Sequence, residues 1–145
     1  MNENMELLMH IYETAEMGSY TITTLINKLK NKDNKIKYML EKEIKEYEKY
    51  MKITSKVLNK NKLETKNSSI MAKIGSNIGI SKETLIDNSD SRMAQMLIEG
   101  ITMGIVTINS KIESYKNITD KSILKIAKNF LKFQEKEIEK LKKYV

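Results

Sequence analysis

Glu13-Thr14-Ala15-Glu16-Met17-Gly18-Ser19-Tyr20-Thr21-Ile22 is followed, 86 residues on (13 to 99), by Glu99-Gly100-Ile101-Thr102-Met103-Gly104-Ile105-Val106-Thr107-Ile108. Glu, Met, Gly, Thr and Ile stand at the same places in both. A second echo lies downstream of each: Glu41-Lys42-Glu43-Ile44 returns as Glu135-Lys136-Glu137-Ile138, and Lys49-Tyr50 as Lys143-Tyr144, at an offset of 94 (43 to 137). The pattern implies an internal duplication in which each half is a helix pair, with offsets that differ because the connections differ in length.

Apolar spacing around these anchors predicts four long helices. The first starts at an Asn2 or Asn4 cap and runs to about Lys30, with Met5, Leu8, Tyr12, Ala15, Ser19, Ile22, Ile26 and Leu29 along its seam. Gly18 beside that seam weakens the helix by about 1 kcal/mol relative to Ala, which a close neighbouring helix would justify. His10 falls on the opposite side and reads as solvent-facing. After the turn signal Lys32-Asp33-Asn34, the second helix spans Lys35 to Leu58, with Ile36, Leu40, Glu43, Tyr47, Tyr50, Thr54 and Val57 on its stripe.

The cap cluster Asn88-Ser89-Asp90-Ser91 opens the third helix, Ser91 to Tyr115, and Thr119 caps the fourth, which reaches about Tyr144. Glu137 lies in the apolar arc of the fourth helix, as Glu43 does in that of the second. Met93, Met96, Met103 and Val106 make the third helix apolar on a further side, so either a crossover covers it or it forms the interface of a homodimer. Methionines in such numbers read as adaptable core filler before they read as ligands.

The chain is therefore expected to be one all-α domain, 1–145. It comprises a first helix pair (2–58), a crossover (59–90) and a second pair (91–145). Within the crossover, Ser69 to Asp87 reads as a short helix broken at Gly75 and Gly79 and restarting at Ser81. The absence of proline and tryptophan, and the abundance of Lys, Glu, Ile, Leu and Met, suit long uninterrupted helices.

Composition excludes several functions. No cysteine is present, so disulfides and thiolate metal sites are ruled out. The acidic N-terminus has no apolar core after it, and the longest apolar run, near Ile101 to Ile108, is too short to cross a membrane; a cytoplasmic location is the expectation. The net charge of +7 raises nucleic acid as a partner. All but one of the 26 basic residues are lysine, however, and they alternate with glutamate as on solvated helix faces, whereas bidentate recognition of phosphates and bases favours arginine. Nucleic acid is thus not the expected partner. There is no phosphate loop, nucleophile elbow or Ser-His-Asp set.

Two helix pairs joined by a long connection, with one glutamate repeated in each helix, resemble the ferritin-like fold of carboxylate-bridged dimetal proteins. The resemblance implies an up-down four-helix bundle in which Glu13 and Glu99 match the single glutamates of the first and third helices. Glu43-Ile44-Lys45-Glu46 and Glu137-Ile138-Glu139-Lys140 match the two Glu-x-x-His motifs. Both histidines are missing: Glu46 replaces one and could still offer oxygen, and Lys140 replaces the other. Two functions follow as expectations. One is a non-enzymatic ferritin-like bundle that has lost its dimetal centre, with Lys140 neutralising Glu43 or Glu137, and Tyr47 or Tyr50 donating to the other. The other is an iron- or manganese-binding protein ligated by Glu13, Glu43, Glu46, Glu99 and Glu137.

Overall fold

The computed structural model describes residues 2–65 and 87–145, which hold four helices: α1 (Glu3–Lys28), α2 (Ile36–Lys60), α3 (Asp90–Tyr115) and α4 (Lys121–Lys142). The short helix expected between Ser69 and Asp87 falls mostly outside the described residues. No strand occurs among the described residues.

Local chemistry sets the ends. The Asn2 side chain accepts from the Met5 amide at 2.9 Å, and Glu3 and Glu6 sit in the first turn, where the helix dipole favours negative charge. The third helix begins at Asp90, one residue before the expected start, and is capped from within the expected cluster by Ser89, its hydroxyl accepting from the Arg92 amide at 3.2 Å. The expected Thr119 cap is not used. Asp120 occupies the N-cap position of α4 without a side-chain cap bond, and its amide donates to Asn4 Oδ1 at 2.9 Å, so a tertiary contact from α1 takes the place of a local one.

End-to-end contacts fix the directions. Asn34 Nδ2 donates to the Asn88 carbonyl and to Asp90 Oδ1, both at 2.9 Å, and the Lys35 amide donates to Asp90 Oδ2 at 3.1 Å, which puts the starts of α2 and α3 together. Tyr115 Oη donates to Glu6 Oε2 at 2.7 Å, joining the end of α3 to the start of α1. The Asn4–Asp120 bond joins the starts of α1 and α4. Helices α1 and α4 therefore run one way and α2 and α3 the other, an arrangement that requires one long connection.

The core follows the predicted stripes. Leu7, Leu8, Ile11, Ala15 and Leu25 of α1 and its C-cap Leu29 are fully buried, with Leu40 and Leu58 of α2, Met93, Ala94 and Ile108 of α3, and Ala127, Phe130 and Leu141 of α4. Two expectations fail here. Met93 belongs to this core, and Met96 is half-buried, so of the three methionines assigned to an outer flank only Met103, 73 % exposed, lies on one. His10 is half-buried rather than solvent-facing: α3 packs along the back of α1, Lys111 comes close, and His10 Nε2 is buried without a partner. Burial first, and the Lys111 charge second, push the imidazole below its usual range.

Candidate functional site

The seam between α2 and α4 contains the polar centre of the bundle. Glu43 and Glu137 fall on the apolar stripes of their helices at 3.6-residue spacing with Leu40, Tyr47, Phe130 and Leu141, so forming the stripe carries both carboxyls inward. Each is about 1 % exposed. Around them, Tyr47 and Tyr50 from α2 pack against Phe130 and Phe133 from α4, the ring centroids lying 4.9 to 6.4 Å apart. The seam is aromatic on one side of the acids and open to lysines on the other.

Tyr47 Oη donates to Glu137 Oε1 at 2.5 Å, and Lys140 Nζ lies 3.3 Å from Glu43 Oε1. The ammonium is half exposed, the carboxyl it meets almost wholly enclosed. Glu43 Oε2 is buried and has no N–H or hydroxyl partner. Glu137 stands beside it, and the two carboxyls interact directly.

Burial is the largest influence on Glu137, Glu43 and Tyr47. It raises Glu137 to about 8; the Tyr47 hydrogen bond opposes the rise, and the Glu43 charge adds to it. Glu43 is also raised by burial, with Lys140 pulling it back. The Tyr47 phenol is held well above its ordinary value by burial and then by the Glu137 charge. Both carboxyls are raised and lie against each other, so the pair holds a proton more readily than an exposed carboxyl does, and Lys140 balances the charge that remains. Gln134 is buried as well and partly offsets the rise at Tyr47, and its Oε1 has no partner among the described residues. The arrangement is a polar path in which Tyr47 bonds Glu137, Glu43 stands beside Glu137, and Lys140 pairs with Glu43.

The path surfaces in a cleft of about 180 Å³ lined by Tyr38, Met39, Lys42, Glu43, Lys140, Lys143 and Tyr144. Lys42 lies 4.3 Å above the Tyr38 ring.

The other candidate ligands do not join this centre. Glu13 and Glu99 are exposed, as their position about 100° round the helix from Tyr12 and Ile98 would place them. Glu46 is half exposed, with Lys49 at 3.8 Å. Among the described residues no cluster of three or more His, Asp or Glu side chains has the geometry to hold a metal.

One buried acid was not among the candidates. Glu16 is 2 % exposed, with Oε2 unpartnered, one turn from Tyr12, whose hydroxyl donates to the Thr65 carbonyl at 2.6 Å. Burial raises its carboxyl. Its angular position near the seam was the available signal; its counterpart in the repeat, Thr102, is exposed.

Comparison with protein-family models, with curated proteins and with solved structures finds no match to this chain.

Proposed function

We propose that the chain is a ferritin-like bundle built from a duplicated helix pair, in which a proton and a lysine have replaced the dimetal centre. It acts through its surface as a homodimeric binding or structural module in the cytoplasm. One observation carries this reading: Lys140 Nζ stands 3.3 Å from Glu43, at the position that the ferritin-like pattern gives to a histidine ligand. A fixed ammonium opposes a cationic cluster by like-charge repulsion, and a carboxyl raised to about 8 gives up its proton to a metal reluctantly. The residues at the centre, two glutamates with one charge already balanced, do not fit a dimetal group. The helix directions, with a single long connection, agree with the proposed family.

The adjacency of Glu43 and Glu137, with one carboxylate oxygen left unpartnered, supports a second reading as an oxygen-ligated iron or manganese protein. Elemental analysis of protein produced with both metals available separates the two. The first reading expects no stoichiometric metal and a coupling of about 1 kcal/mol or more between Glu43→Gln and Lys140→Met in a double-mutant cycle. Stoichiometric iron or manganese that Glu43→Ala removes would establish the second reading and end the first.

A further inference from the structure

Three helical glycines have unlike surroundings. A Cβ on Gly18 would meet the Tyr47 ring at 2.7 Å, and one on Gly104 would meet Gln134 at 3.4 Å, so packing within the chain accounts for both. Gly100 has nothing within 4 Å of that position among the described residues. Glycine in a helix interior weakens the helix relative to alanine, and nothing in the described fold requires it here.

Gly100 opens a run of eleven residues, 100–110, without a charged side chain, and α1 carries a second such run at 17–27. Neither α2 nor α4 has one, in a chain whose residues are 31 % charged. Contacts between Glu6 and Tyr115 and between Thr14 and the Gly104 position hold the antiparallel α1 and α3 in a register that brings Met17 level with Met103. Met17 is 40 %, Met103 73 % and Val106 64 % exposed. The repeated letters Glu13/Glu99 and Met17/Met103 thus lie on the outward side of an antiparallel pair, which gives this face an approximate two-fold symmetry of its own.

We infer that this face of α1 and α3, centred on Met17, Gly100 and Met103, is where a second copy of the chain docks. The inference rests on the reading of the bundle as a surface-acting dimer and names the surface. Two copies each carrying +7 repel one another, so they associate where lysines are absent, and this face is where α1 and α3 lack them. A two-fold interface brings the same patch of both copies together, so a patch without lysines meets no lysine across it. Gly100 gives a partner's side chain a place to sit close to the α3 backbone, and methionine is enriched in interface cores. The chain's own connection is the competing cover. Thr65, the last described residue before it, meets Tyr12, about 140° round α1 from Met17.

Sedimentation equilibrium of the full chain over a range of concentration and salt tests this. The expected result is a dimer whose dissociation constant falls as salt rises, because screening removes the repulsion between copies. Met103→Lys, at an exposed position, should raise that constant at least 100-fold with helical circular dichroism unchanged, and Tyr38→Lys, 67 % exposed on α2, should leave it unaltered. Gly100→Ala should raise the melting temperature of the monomer and weaken the dimer, opposite effects that general destabilisation does not produce. A chain that stays monomeric throughout would overturn the proposal, whether its own connection or another molecule covers the face. A dimer indifferent to both Met103→Lys and Gly100→Ala would overturn it as well. Metal content and the Glu43–Lys140 coupling are measured separately on the Met103→Lys monomer, so failure of this surface and failure of the metal-free reading are distinguishable.

Discussion

Gly18→Ala sets two effects of opposite sign against each other. In an unencumbered helix interior, alanine is favoured over glycine by about 1 kcal/mol. At Gly18 the new Cβ would stand 2.7 Å from Cε1 and Cζ of Tyr47 and 3.0 Å from Cδ1, roughly 1 Å inside the optimum for carbon contacts. The ring has little room to yield. Phe133 and Phe130 meet it edge-on at 4.9 and 6.4 Å, and its hydroxyl is committed to Glu137.

Overpacking of this kind costs about 1–3 kcal/mol. If the ring shifts far enough to release Glu137, an enclosed acceptor loses its donor at a further cost of about 1–3 kcal/mol. Set against the propensity gain of about 1 kcal/mol, the clash leaves a net loss of about 0–2 kcal/mol, rising to about 1–5 kcal/mol if Glu137 loses its donor. Urea denaturation at pH 7 measures it, with Gly100→Ala as the comparison and both variants made on Met103→Lys so that association plays no part. Gly100→Ala meets no obstacle and should gain up to about 1 kcal/mol. On a Tyr47→Leu background, Gly18→Ala should become neutral or stabilising. If Gly18→Ala stabilises the chain with Tyr47 in place, the close approach of α1 and α2 at this point is refuted.

Glu137→Gln should alter how stability depends on pH. The folded carboxyl is raised to about 8, so the native chain holds a proton that the unfolded chain releases near pH 4.5. The native state is thus favoured fully below pH 4.5, and the advantage drains away as pH rises through about 8. At about 1.4 kcal/mol per pH unit, the parent should lose up to about 4 kcal/mol relative to the variant across that window. Guanidinium denaturation at pH 5, 7 and 9 reads the difference, and parallel curves would contradict the acid-pair assignment. Asn34→Ala removes the two bonds that hold the start of α2 to the start of α3. It should lower stability by about 1–2 kcal/mol, with the extra amide exchange confined to the first turns of those helices.

Much of the fold was legible in the sequence because helix spacing is a local property. The seams of α1, α2 and α4 could be read from apolar residues three and four apart, and the same reading put Glu43 and Glu137 inside. The partners at the centre were legible for a related reason. Lys140 follows Glu137 by one turn on a neighbouring helix, and Tyr47 follows Glu43 by one turn, so few side chains could reach the two acids. What escaped was whatever depends on how helices lie against each other. His10 is half-buried because α3 covers the back of α1, and its own helix gives no sign of that. Thr119 yields to Asp120 because Asn4, more than a hundred residues away in sequence, accepts from the Asp120 amide.

The repeated stretch shows the same division within one motif. Only the Ile22/Ile108 pair among its five shared positions is fully in the core; Glu13/Glu99 and Met17/Met103 face outward, and Gly18 and Gly104 are half-buried. A motif kept for packing would repeat its inward letters and let the outward ones drift, since exposed positions away from special features tolerate substitution within about 0.5 kcal/mol. Here inward positions differ, Ala15 opposite Ile101 and Glu16 opposite the exposed Thr102, while outward letters recur. The glycines sharpen the point. Gly18 meets Tyr47, whereas Gly104 meets Gln134, which the 94-residue offset aligns with Leu40. The helix pairs therefore pack with different side chains at their closest approach. The letters that recur between 13–22 and 99–108 lie mostly on a face that points away from the acid centre on α2 and α4.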